Sequence, residues 1–166
     1  REVVASLLEG DHEVVAGVTD EKDAARVPGT VETRFFRFGE AVTYPEAFAG
    51  VRKLFLMRPP QIADVKRYLF PVVDYAETAG VDQVVFLSLM GAEKNRRVPH
   101  HKVERYVERG KAPYTLLRPS FYMQNLNTTH RAEIRDDDEI CVPVGDAKTS
   151  FIDVRDIGAG AAKVMT

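Results

Sequence analysis

Cysteine is nearly absent. The single residue, Cys141, has no internal partner for a disulfide and builds no metal site of its own, so a reducing, cytoplasmic setting is expected. An excess of basic charge is also lacking. Lys and Arg number 23 against 25 Asp and Glu, for a net charge of -2 and a pI near 6.1. That balance argues against nucleic acid or an anionic membrane as a partner. No apolar run approaches the ~20 residues that a spanning helix needs, no signal peptide is visible, and there is neither an internal repeat nor a low-complexity linker. Without a secretory signal, the sequon Asn127-Thr128-Thr129 is read as chance. The acidic run Asp136-Asp137-Asp138-Glu139 fits no metal-ligand spacing and is read as a solvated turn, so no metal is expected.

What remains is an ordinary globular composition, 45% hydrophobic and 29% charged. The 166 residues suffice for one domain that buries roughly 70% of its unfolded surface. Apolar spacing predicts a helix over 1–9 that stops at Gly10, then a buried strand from Val14 to Val18. Thr19 or Asp20 is placed to cap a short helix at 21–26, and Pro28-Gly29 marks a turn. Strands are expected at 31–36 and 51–57, with a short helix between them ended by Gly50. Arg58-Pro59-Pro60 stops the second of these strands. A long helix over 62–80 is expected to kink at Pro71 and stop at Gly80. Then follow a strand from Val84 to Ser88, a helix from Pro99 to Gly110, and a strand from Tyr114 to Arg118. Helix is expected from Phe121 to about Ile134, with short strands at 139–144 and 149–152 and a final helix capped by Asp153. Alternating helices and doubly apolar, β-branched strands indicate an α/β fold: a Rossmann-like, doubly wound parallel sheet with right-handed crossovers.

The chain is organised around residues 84–126. Two of its strands end in small or polar residues, Ser88 and Arg118-Pro119-Ser120, on one edge of the sheet. That edge is where open α/β sheets bind ligands. One expected piece is missing. Dinucleotide-binding sheets open with a strand and a glycine-rich turn before the first helix. No G-x-G-x-x-G occurs in the chain, which starts inside the helix. The expectation is that residues 1–166 are a single domain, a fragment of a longer chain whose first strand would fill the centre of the sheet. The alternative is a rearranged sheet in which the strands at 14–18 and 52–57 pair directly.

Five segments carry a family resemblance: LFLMRPP, VVFLSLMGAEKN, VPHHKVERYVERG, PYTLLRPSFYMQNL and TSFIDVRDIGAGAAKVM. In this order they resemble the NmrA-like branch of the atypical short-chain dehydrogenase/reductases, and REVVASLLEGDHEVVAGVTD is similar to that family's first helix and second strand. The resemblance implies an NAD(P)-binding Rossmann domain. It implies that Met57, Arg58 and Pro59 lie along the cofactor, and that Ser88 lies near the nicotinamide. It further implies that Pro119 and Ser120 flank the ring and the substrate space, and that Lys102 holds ribose hydroxyls. Two departures matter. The superfamily's Tyr-x-x-x-Lys is absent, since Val98 stands four residues before Lys102. The proton donor is left open between His100, His101 and solvent. At the end of the second strand, where NADP-binding relatives often carry arginine, stand Thr19 and Asp20. Asp20 suits a ribose 2′-hydroxyl and hence NAD, whereas Lys22 keeps NADP open.

Each of these residues also has a structural alternative. His100 leans to the core with Val103 and Val107, and His101 to a wetter face with Arg105 and Glu108. Lys102 and Tyr106 are helical neighbours. Ser88 equally satisfies a strand end, and Arg118 is expected to pair a buried acid. Phe121, Tyr122 and Met123 suit an apolar substrate pocket or the core, Asn125 suits bracing of its loop, and Asp153 and Asp156 suit helix capping. The function implied is an NAD(P)H-dependent oxidoreductase acting on a quinone-, azo- or carbonyl-type small molecule. A homodimer remains open. The alternative is an NAD(P)-sensing regulator without turnover that acts through a protein partner.

Overall fold

A computed structural model describes residues 1–142, 145–146 and 148–166. Helix α1 (Glu2–Glu9) precedes strand β1 (Val15–Val18), helix α2 (Glu21–Ala24) and strand β2 (Glu32–Phe35). A 3-10 turn at Ala41–Thr43 leads into α3 (Tyr44–Phe48), then β3 (Lys53–Met57), α4 (Val65–Tyr68), α5 (Phe70–Thr78) and β4 (Gln83–Leu87). Helix α6 (Pro99–Val107) and strand β5 (Tyr114–Leu117) complete the central stretch. Beyond them lie β6 (Phe121–Tyr122), a 3-10 turn (Met123–Asn127), α7 (Arg131–Asp137), β7 (Phe151–Ile152) and α8 (Val154–Met165).

Among the described residues every strand pairing is parallel. Strand β1 pairs with β2, β3-β4-β5 form a second sheet, and β6 pairs with β7. The direct pairing of the strands at 14–18 and 52–57, offered above as an alternative, is thus not adopted. The β1 and β3 segments belong to separate sheets.

Strand side chains alternate between two covered faces. Leu54, Leu56, Val84, Phe86 and Leu116 join one core with Tyr44 and Phe48 of α3, Val65 of α4, Val72, Val73 and Ala76 of α5, and Val103 and Val107 of α6. Val85, fully buried, points from β4 to the opposite face, where α8 lies. Helix α8 packs in turn on α1, and the contact depends on Gly158. A Cβ placed there would come within 2.7 Å of the Glu2 backbone. Helix α5 ends where Gly80 takes φ +78, the left-handed position that closes helices.

Several boundaries differ from expectation for local reasons. The helix expected over 62–80 is broken at Leu69 into α4 and α5, and Pro71 lies in the first turn of α5, where its missing N–H costs nothing. The helix expected from Phe121 is instead β6, a 3-10 turn and α7, because the Phe121–Tyr122 backbone pairs with Phe151–Ile152. Asp136 and Asp137 finish α7, with Asp136 held by Arg135, and Asp138 takes φ 54. The acidic run therefore begins in a helix and not in a turn. Residues 139–142 are not in a strand, and the rest of the strand expected over 139–144 lies outside the described residues. Asp153 caps α8 as expected, accepting from Arg155 N.

Candidate active site at the carboxyl edge of the sheet

The two central strand ends are locked together before any ligand enters. Ser88 N donates to the Leu117 carbonyl at 2.7 Å, and Met90 N donates to the Pro119 carbonyl at 2.9 Å. Beneath them lies Glu104, fully buried on α6. Its carboxylate accepts from Ser88 Oγ at 2.5 Å, from Arg118 Nε at 2.8 Å and from Arg118 Nη2 at 3.0 Å. Burial alone would push the Glu104 carboxyl up, but the hydrogen bonds from Arg118 and Ser88 outweigh it and hold the group below its ordinary value. Arg118 also faces Glu93, whose Oε2 lies 3.6 Å from Nε. One carboxylate thus ties α6 to the ends of β4 and β5. Arg118 pairs a buried acid, as its position before Pro119 suggested. The hydroxyl of Ser88 is directed to Glu104 and the residue is 2% exposed.

Around this anchor the other expected residues divide. Met57, at the end of β3, and Met90, after β4, are exposed on the same edge, and Pro119 is buried. Arg58 folds back on its own loop, donating from Nη1 to the carbonyls of Pro59, Pro60 and Ile62. Its Nε reaches His100 Nε2 at 3.4 Å. Burial first, and then the Arg58 guanidinium, hold the His100 imidazole below its ordinary value, so it stays neutral. His101 is half-buried and not on a wet face, with Nδ1 2.8 Å from the Ala92 carbonyl. Lys102 is exposed on α6, and Tyr106, one turn on, stacks on Phe70 and donates to Asp74.

At the β1 end, Thr19 Oγ1 donates to Asp23, and the Asp20 carboxylate accepts from Asp23 N at 2.9 Å as the cap of α2. Lys22 is exposed on that helix. Arg37 approaches from beyond β2, its Nη2 3.4 Å from the Thr19 carbonyl. A cation from outside the Thr19–Lys22 segment therefore stands beside the end of β1.

Past β5, Phe121 and Tyr122 are half-buried and Met123 is exposed. The ring of Phe121 stacks on His130 at 5.7 Å and meets Phe151 edge-on at 5.3 Å. Asn125 braces this loop through its backbone carbonyl, which accepts from His130 N, and not through the side-chain amide expected to do so. Gln124 Oε1 accepts from Val154 N and ties the loop to α8.

Glu104, Arg37 and His130 are absent from the sequence expectations. Glu104 had a readable signal: a carboxylate beside Val103 on the buried stripe of an amphipathic helix needs a partner. Arg37 and His130 had none, since each comes to the edge from a loop. Two surface hollows of about 440 and 190 Å³ lie at the other end of the strands, around Glu77 and Lys111, and take no part. Among the described residues no His, Cys, Asp and Glu group converges to hold a metal ion, and no helix is long and apolar enough to cross a membrane.

Comparison with known proteins agrees with this architecture. Residues 1–166 match the model of the NmrA-like family, and the chain belongs to that family. It is 32% identical over 170 residues to an NAD(P)H azoreductase of Xenophilus azovorans, spanning 99% of this chain and 59% of that protein. Among solved structures it is similar to an NADPH-dependent quinone oxidoreductase of Escherichia coli complexed with NADPH, with TM-score 0.87, 24% identity, and coverage of 99% of this chain and 60% of the other. A triphenylmethane reductase of Citrobacter sp. gives TM-score 0.84 at 24% identity, with coverage of 99% and 60%. At that identity the two structures establish the fold. The chain spans about three-fifths of the length of these proteins.

Proposed function

We propose that this chain forms the cofactor-binding part of an NAD(P)H-dependent reductase acting on a quinone-, azo- or carbonyl-type small molecule. The observation that carries the reading is the locked carboxyl edge. Glu104, Ser88 and Arg118 fix the β4 and β5 ends beside an exposed Lys102, and the family membership supplies the context. The residues fit the ring and sugar parts of a dinucleotide. In this reading Lys102 would hold ribose hydroxyls, the backbone at Ser88 and Pro119-Ser120 would meet the ring, and Met57, Pro59 and the Arg58 loop would line its path. At the β1 end the Asp20 carboxylate is engaged by α2, while Arg37 and Lys22 offer positive charge, which favours a 2′-phosphate and hence NADP. The glycine-rich pyrophosphate turn is not among residues 1–166.

When bound, the reduced nicotinamide would supply the hydride. The chain's own part is to orient the ring, shape an apolar acceptor space with Phe121, Tyr122 and Met123, and manage a proton. Acceptors that need little help with the proton come first, because Val98 replaces the superfamily tyrosine. The same gap favours a second reading. With His100 held neutral against Arg58 and His101 engaged with Ala92, the protein would bind the cofactor without turnover and signal through a protein partner. A reducing, cytoplasmic setting suits either reading, and a homodimer is compatible with both. Consumption of NADPH or NADH in the presence of quinone, azo and carbonyl panels separates them. Turnover of a quinone supports the reductase, whereas tight cofactor binding with no acceptor reduced supports the regulator.

A further inference from the structure

The reduction of a quinone consumes a proton as well as a hydride, and the superfamily's tyrosine is missing. Of the chain's four histidines, three are poorly placed to give one. His12 packs against Gly10 at the end of α1. His100 is neutral, with Nε2 facing Arg58. His101 has Nδ1 on a neutral backbone carbonyl, that of Ala92, and among the described residues no acidic side chain lies in ion-pair range of it. The fourth, His130, is 9% exposed. Its Nδ1 lies 3.0 Å from Glu133 Oε2 on α7, and its ring stacks on Phe121 at 5.7 Å. Phe121 directly follows the Arg118-Pro119-Ser120 strand end, and the His130 backbone is fixed by the Asn125 carbonyl. A carboxylate on one ring nitrogen sets the orientation of an imidazole and leaves the other nitrogen to exchange a proton. Among the described residues Glu133 is the one acidic side chain in ion-pair range of His130.

We infer that His130 is the proton donor of the acceptor site and that Glu133 is its positioning residue. The inference rests on the reductase reading above. His130 gives its Nε2 proton to the oxygen of a quinone-type acceptor as that acceptor gains a hydride from a reduced nicotinamide. The Nε2–H bond breaks and an O–H bond forms. The imidazolium becomes neutral imidazole and regains a proton from solvent, and the acceptor leaves as a hydroquinone, richer by one hydride and one proton. Phe121, stacked on the same imidazole, gives the flat acceptor an apolar surface beside the donor.

The test exploits acceptors that differ in their need for a proton. A cationic triarylmethane dye is discharged by hydride alone, whereas a benzoquinone needs hydride and proton. In His130→Gln the ratio of quinone to dye turnover is expected to fall about 10²-fold or more, the usual scale for a general acid. In Glu133→Gln, which keeps the imidazole, the ratio should fall by about 10-fold, roughly the ~1.4 kcal/mol of one lost orienting contact. Independently of turnover, diethyl pyrocarbonate should modify His130 in the unaltered protein, as read by peptide mass spectrometry. A bound hydroquinone should protect it. A ratio that does not move, or a His130 that the reagent labels equally with and without hydroquinone, overturns the assignment and leaves the reductase reading standing. An unaltered protein that reduces neither acceptor overturns both.

Discussion

Removing Arg118 should expose how much of the site's geometry rests on one buried carboxylate. Glu104 accepts three hydrogen bonds, and two of them come from Arg118. In Arg118→Met the carboxylate stays fully buried with Ser88 alone. Stranding a buried charge costs about 3–5 kcal/mol. Arg118 is itself 33% exposed, so water can partly replace it and the lower figure is the better expectation. At about 2–4 °C per kcal/mol for a chain of this size, the melting temperature should drop by about 6–12 °C near neutral pH. The pH dependence has a definite sign. In the native protein the Glu104 carboxyl is held below its ordinary 4.5. Its contribution is therefore complete above that value and is lost as pH falls through the lowered one. In the variant the burial contribution prevails and the carboxyl rises. The buried group then takes up a proton on folding, and the handicap shrinks as the solution is acidified. Calorimetric melts at about pH 7 and about pH 4 should show the gap between the two proteins narrowing. The double variant with Glu104→Met as well should recover much of the loss, because an apolar pair of similar volume needs no partner. A drop below about 2 °C, or a gap of equal width at both pH values, would refute the reasoning.

Other consequences are open to simple measurement. Gly158→Ala sets a methyl against the Glu2 backbone at 2.7 Å, so urea melts should show a loss of about 1–3 kcal/mol. Arg37→Gln removes the cation beside Thr19. It should lower the NADPH-over-NADH ratio of kcat/KM by roughly 10-fold or more, on the scale of one charge-assisted hydrogen bond, with little change in the NADH value. Lys102→Met should raise the dissociation constant for NADPH by roughly 10-fold on the same scale, read by nucleotide fluorescence, without shifting the melting temperature of the free protein. Tyr106 has its hydroxyl pushed up to about 12 by its hydrogen bond to Asp74, with burial adding to it. Its phenolate should therefore appear last in a spectrophotometric alkaline titration, and the Asp74 contact should persist until pH rises through that value.

The fold was legible because its signals are periodic and local. Doubly apolar runs such as 84–87 announce buried parallel strands, and Gly80 marks a helix end by its backbone. The edge of the site was legible too, since Ser88 and Pro119-Ser120 must share it once the strands are parallel. Contacts that depend on distant chain were less readable. Arg118 could be assigned a buried acid, but which acid is decided by the turn of α6 that places Glu104 beneath both strand ends. Ser88 could be read equally as a ligand contact or as a strand end, and the same turn of α6 gives its hydroxyl to Glu104. Arg37 and His130 reach the edge from loops whose course no periodicity encodes. Helix was legible at Arg131–Ile134 but not its absence at Phe121–Tyr122, because the pairing of those two residues with Phe151–Ile152 joins positions about thirty apart.

In the proposed function the carboxyl edge delivers a nicotinamide hydride to a small acceptor. Its most direct test is transfer of the label from NADPH deuterated at C4, in a single turnover with a carbon-centred cationic dye, with the product read by mass spectrometry. Deuterium is expected in the reduced dye in step with cofactor oxidation, with less of it formed per unit time in Lys102→Met at subsaturating cofactor. Firm NADPH binding with no deuterium reaching this acceptor, and none consumed with quinone or azo compounds, would contradict it and leave the regulatory reading in its place.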